Sequence, residues 1–186
     1  GKKEEQLKSE ITRNEYKAEY SEKKNDLIKL CMYALVSMCT NDVDKKNKIV
    51  DFTNKLQLSF QYLDDIADLK EDLKDKNYTV ILNTLLQKVS IENINEDNLI
   101  SLLIENKVLL NFVSNIVDLF KDINSMIDNK ISSSSKTYFN NISKNLDVLH
   151  IYLKGINLDL FKLDERYKVS KIKEVEKRIE IVASSS

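Results

Sequence analysis

"LISLLIENKVLLNFVSNIVDLFKDINSMI", residues 99 to 127, is the most consistently apolar stretch of the chain. Its apolar residues include Ile100, Leu103, Ile104, Leu109, Phe112, Val113, Ile116, Val117, Phe120, Ile123 and Ile127. Steps of three and four dominate, which is the period of a helix facing a core and not the alternation of a strand. A break is expected near Asn106 or Lys107, where polar residues interrupt the run.

The rest of the chain agrees with a helical reading. Its 186 residues hold Gly 2, Pro 0 and Trp 0, so glycine-turned hairpins are hard to build, whereas helices joined by Asn, Asp and Ser connectors are not. Residues 1 to 10, "GKKEEQLKSE", lack an apolar face and read as a tether. A helical pattern starts at Ile11 and leads into the run "LIKLCMYALVSMC" at 27 to 39, expected to be buried and too short for a membrane span. Thr40, Asn41 and Asp42 supply caps for a restart, and the next helix is expected from Val43 to Asp75. "KNYT" punctuates, and "VILNTLLQKV" forms a further helix. Ser90 to Asn98 is a polar connector with Asn95 as N-cap. "DNKISSSSKT" at 128 to 137 reads as a loop and cap cluster, short enough for antiparallel neighbours. The following helix reaches Lys154 and stops at Gly155, and a last helix runs from Asp164 to Val182. The expectation is an all-α antiparallel bundle of five to seven helices, one domain over 11 to 183 with a tail at 184 to 186.

Charge narrows function. The net charge is -1, and arginine occurs only at 13, 166 and 178, so no overall electrostatic pull toward nucleic acid or anionic lipid exists. Cys31 and Cys39 lie roughly 12 Å apart along one helix, too far to bridge each other. Buried free thiols are the expectation. His150, the single histidine, has apolar neighbours and reads as a half-buried structural residue. The basic excess of Lys168, Lys171, Lys173, Lys177 and Arg178 reads as a solvated face. No nucleophile elbow, P-loop or HExxH is present, so neither a catalytic residue nor a cofactor is expected.

The feature with chemical promise is "QYLDDIADLKEDLKDKNYT", residues 61 to 79. With Leu56 at zero on a helical wheel, the apolar arc spans about 200° through 0° to 40°. Asp64, Asp65, Asp68, Glu71, Asp72 and Asp75 fall between about 60° and 180°, on the opposite side. Three readings stand: a solvated face, a docking surface for a basic partner, or a metal site. The segment is similar to the aspartate-rich helices of class I isoprenoid synthases. That resemblance implies magnesium on Asp64, Asp65 and Asp68, with Gln61 nearby. It covers about 25 residues, lacks the second acidic helix those enzymes use, and has its apolar arc where the motif should point.

The whole chain, proline-free and rich in Lys, Asn and Ile, with its charged opening "GKKEEQLKSE", resembles the small helical outer-surface lipoproteins of Borrelia-type spirochaetes, and among them the factor H binding group. The resemblance implies a non-enzymatic lipoprotein, anchored at the cell surface through a lipid outside these residues, that binds the host complement regulator factor H. An acidic face would steer such a basic partner. Asp65, Asp68, Asp72 and Asp75, with Glu92, Glu96 and Asp97 of the polar connector, are the expected contacts.

Overall fold

The computed structural model describes residues 30–127 and 133–185 of the chain. The tether at 1 to 10 and the helix onset at Ile11 lie outside the described residues. All regular structure described is helical: α1 (Leu30–Cys39), α2 (Val43–Ala67), α3 (Leu69–Lys74), α4 (Val80–Leu86), α5 (Leu99–Glu105), α6 (Val108–Met126), α7 (Ser133–Lys154), α8 (Leu158–Leu163) and α9 (Glu165–Ala183), with one 3₁₀ turn at Ile91–Asn93. The all-α bundle expected from periodicity is what forms. Its nine described helices exceed five to seven because two long helical stretches break and one short helix, α8, lies between α7 and α9.

The chain divides into two compact units, residues 1–57 and residues 58–186. Residues 43 to 58 of α2 are exposed or half-buried, and its first fully buried residue is Ser59.

The first unit contains α1. Asp42 opens α2 by accepting the Lys45 N–H at 3.1 Å, as its cap position predicts. The expected burial of α1 is not observed. Only Val36 is buried, while Leu30, Leu35 and Met38 are 66%, 58% and 85% exposed. Cys31 and Cys39 are free, as expected, but exposed. A helix apolar all round turns only one side to its neighbours, and periodicity cannot choose that side when both are apolar.

The second unit holds the core, and α6 runs through it. Leu109, Val113, Ile116, Phe120 and Ile123 have no accessible surface, each burial worth roughly 1.5–3 kcal/mol. α6 packs most extensively on α7, and α7 on α9. α7 begins at Ser133, inside the stretch read as loop, since serines serve a first helical turn as readily as a connector.

The expected break falls between α5 and α6, which meet at 76°. Lys107 takes the left-handed conformation there, with φ 56°. At the other end, Asn157 caps α8 by accepting the Leu160 N–H at 3.0 Å. Asp164 caps α9 by accepting the Arg166 and Tyr167 N–H groups at 2.9 and 3.1 Å.

Candidate functional site

The helix expected to run unbroken to Asp75 bends at Asp68, whose φ and ψ are -97° and 12°. Backbone bonding continues across the bend. The Asp68 N–H donates to the Asp64 carbonyl at 2.9 Å, and the Asp72 N–H donates to the Asp68 carbonyl at 2.8 Å. α3 then ends in a Schellman motif. Asn77 N–H reaches back to the Asp72 carbonyl at 2.8 Å and Lys76 N–H to the Leu73 carbonyl at 3.3 Å. Lys76 occupies the left-handed position at φ 56°.

Around this bend the acids separate. Asp64, Asp68, Glu71 and Asp75 are exposed and Asp72 is half-buried. Asp65, expected on the open face, is instead 8% exposed. The buried residues are Ser59, Leu63, Asp65, Ile66 and Leu69, whereas Ala67 is exposed. On the wheel this inward arc runs from about 180° to 340°, shifted toward the acids. The shift is tertiary in origin: the side of the helix bearing Ala67 and Phe60 is the less covered one. Asp65 Oδ2 has no hydrogen-bond partner. Burial pushes the Asp65 carboxyl up to about 7, and the charges of Asp72, Asp64 and Asp68 add to the effect. Tyr62, its ring tilted against Phe112 with centroids 4.8 Å apart, is also raised, by burial first and then by Asp65. Asp72 is raised by burial as well, against which its bond from Asn77 Nδ2 at 2.6 Å works.

The bend opens a shallow groove of about 390 Å³ between the α2–α3 junction, α5 and α9. Its apolar floor is Ile66, Leu69, Ile100 and Ile179, and its acids are Asp68, Glu71, Glu176 and Glu180. One lysine, Lys70, lines it, and its Nζ is bound to Glu176 Oε1 at 2.7 Å. Glu176 and Glu180 escaped the sequence reading because α9 reads as basic. The available signal was local: Glu176 and Glu180 are one turn apart and flank Ile179, so they border the buried stripe.

Three cations of α9, Lys168, Lys171 and Arg178, are engaged outside the groove. Lys168 Nζ pairs with half-buried Glu105 at 3.0 Å, which also accepts the Ser101 hydroxyl at 2.8 Å. Lys171 lies 4.9 Å from the Tyr152 ring and 5.1 Å from the Tyr167 ring, and the Arg178 guanidinium 4.5 Å from Tyr152. Arg178 also pairs with Glu174 at 2.7 Å. The face read as solvated is therefore partly a set of cation–π contacts with α7.

Of the other expected contacts, Glu92, Glu96 and Asp97 are exposed on the α4–α5 connection but do not line the groove. That connection is organised by a reciprocal pair: Asn95 Oδ1 accepts the Asn98 N–H at 3.0 Å and Asn98 Oδ1 accepts the Asn95 N–H at 2.9 Å. The pair closes a turn just ahead of α5, whose N-cap is Asn98 and not Asn95 as expected: the Asn95 carbonyl accepts the Leu99 N–H at 3.0 Å, and the helix proper begins only at Leu99. Asp72 and Asp75 also stand outside the groove lining, leaving Asp68 as the expected contact that belongs to it.

Asp64, Asp65 and Asp68 do not converge: the first and last are exposed while Asp65 is buried. No three His, Cys, Asp or Glu residues among the described ones gather closely enough to hold a metal ion. His150 is half-buried with Nε2 unpartnered, and burial, with Lys154 and Lys121 adding to it, pushes its pKa below the usual range. No family model matches the chain, and no match was found among curated proteins or solved structures.

Proposed function

We propose that the chain is a non-enzymatic binding module whose groove at the α2–α3 bend receives a basic segment of a partner protein. The single observation that supports this is the composition of the groove. Four carboxylates, Asp68, Glu71, Glu176 and Glu180, border a floor of Ile66, Leu69, Ile100 and Ile179, and the one lysine is already paired with Glu176. An apolar floor holds side chains by burial, while acids around it attract and align lysines and arginines. The partner segment is accordingly one in which basic and aliphatic residues alternate within a few positions.

The resemblance to spirochaetal outer-surface lipoproteins extends the proposal: a lipid-anchored protein at the cell surface, with factor H as the host partner and complement evasion as the result. Carboxylates around an open groove attract a cationic surface but activate no nucleophile by themselves, which favours a module over an isoprenoid-synthase-like enzyme.

Surface plasmon resonance tests both levels. Wild-type protein is expected to bind immobilised factor H at low salt and to lose affinity as salt rises through physiological strength. The double reversal Asp68→Lys, Glu71→Lys is expected to weaken binding by about tenfold or more. If binding survives the reversal unchanged, the groove is not the contact. If wild-type protein ignores factor H but binds a synthetic peptide of alternating lysine and leucine in a reversal-sensitive way, the groove stands and the partner is another basic protein.

A further inference from the structure

We infer that the corner between α5 and α6, closed by the end of α7, binds a short aliphatic carboxylate. Its charge is held by Lys107 and Lys154. The inference is independent of the groove at the α2–α3 bend, with which this pocket shares no lining residue.

The site follows from how three helices end. The chain turns by 76° from α5 into α6 through Lys107. α7 ends at Lys154, and α8 begins at Leu158. Between these ends lies a pocket of about 170 Å³. Its apolar lining is Ile104, Leu153 and Ile156, none more than 7% exposed, with half-buried Leu110 and Leu158. Molecules of drug size need more than about 300 Å³. An apolar cavity of about 150 Å³ takes benzene, so a body of about six carbons suits this volume.

The head group is argued from charge. The remaining lining residues are Lys107 and Lys154, both exposed, and no carboxylate among the described residues lines the pocket. Neither Nζ has an ion-pair partner among the described residues, unlike Lys70 in the groove and Lys168 on α9. Lys154 is not needed to cap α7. The Ile151 and Tyr152 carbonyls both accept the Gly155 N–H at 3.1 Å, and the Leu153 carbonyl accepts the Ile156 N–H at 3.3 Å. Lys107 holds a left-handed φ of 56° that glycine would adopt at lower cost, so lysine there gives up some stability and brings a charge to the pocket. Two separate ammonium groups beside apolar walls match a singly charged head on a short chain. A phosphate, with more oxygens to satisfy, is better served by an arginine fork, and no arginine lines the pocket.

Methyl-resolved NMR of the full chain, titrated with sodium hexanoate against matched sodium chloride, tests the site. Saturable shifts are expected at the methyl groups of Ile104, Leu110, Leu153, Ile156 and Leu158, with a dissociation constant on the order of 0.1–1 mM. Hexanol keeps the body without the charge and acetate the charge without the body. Each is expected to bind about fivefold more weakly or worse. The double variant Lys107→Gln, Lys154→Gln is expected to weaken hexanoate about fivefold and to leave hexanol unchanged. Both lysines are exposed, so wild-type circular dichroism is expected of it. Hexanol binding as tightly as hexanoate, or a double variant that holds hexanoate like wild type, overturns the inference. So do shifts centred on other methyl groups, or shifts that do not saturate by about 20 mM.

Discussion

Lys70 Nζ lies 2.7 Å from Glu176 Oε1, joining α3 to α9 across the groove although the residues are 106 positions apart. The pair sits at the surface, with side-chain exposures of 52% and 32%. Screening by water keeps its worth below about 1 kcal/mol. Its larger effect is on the groove's charge, because Lys70 is the cation among four carboxylates. Lys70→Gln is therefore expected to change urea stability by less than about 1 kcal/mol while tightening binding of a basic partner at low salt. The gain disappears at high salt, and weaker binding at low salt would place the contact elsewhere.

Asp65 gives the protein a pH-dependent stability term of definite sign. Its carboxyl titrates at about 7 in the fold against 3.8 for the unperturbed group. A group raised on folding costs nothing below the unfolded value, where both states are protonated. Between pH 4 and 7 the unfolded state ionises while the folded state resists, so this group's contribution falls as pH rises. Above about 7 the full penalty is present. Asp65→Asn removes the ionisation and is expected to stabilise the protein by roughly 2–4 kcal/mol at pH 8, and by little at pH 4. Urea melts at the two pH values measure the difference.

The same residue marks where sequence reasoning stops. Periodicity located the buried residues of α6, and local chemistry located the cap at Asp42, the start of the last helix at Asp164 and the break at 106 to 107, because caps and breaks depend on near neighbours; the cap expected at Asn95 falls three residues later, at Asn98. The inward direction of α2 depends on which side its neighbours cover, and a wheel supplies only the relative positions. An offset of about 40° was enough to carry Asp65 inside. Glu176 and Glu180 join Asp68 only through the packing of α9, at separations over which no pattern is readable. The exposure of α1 was hidden for the opposite reason: a helix apolar on every side carries no directional signal.

Glycine chemistry in this chain runs against the usual placement. Lys76 and Lys107 hold φ of 56°, a conformation that favours glycine over residues bearing Cβ. Lys76→Gly and Lys107→Gly are each expected to stabilise by about 0.5–1 kcal/mol. Gly155 follows α7 without a positive φ, and a Cβ there would meet the Tyr152 and Ile151 carbonyl oxygens at 3.5 and 3.6 Å, ordinary contact distances. Gly155→Ala is therefore expected to stabilise by about 0.4–1 kcal/mol through the unfolded chain's lost freedom. Chemical denaturation of the three variants reads these values, and destabilisation by Gly155→Ala would show that the turn needs glycine after all.

Tyr152 is the anchor that keeps the α9 cations on the α7 side. Lys171 and Arg178 lie seven positions apart on α9, with their charges 4.9 and 4.5 Å from its ring. Contacts of this kind contribute about 0.5–2 kcal/mol each, depending on desolvation. Replacing the ring by leucine keeps apolar bulk but removes the quadrupole that holds the charges. Tyr152→Leu is expected to cost roughly 1–2 kcal/mol, whereas Tyr152→Phe, which retains the ring face, is expected to cost less than half of that. Urea unfolding of the pair separates the two effects: equal losses would assign the role to the phenol hydroxyl or to packing and not to the cations.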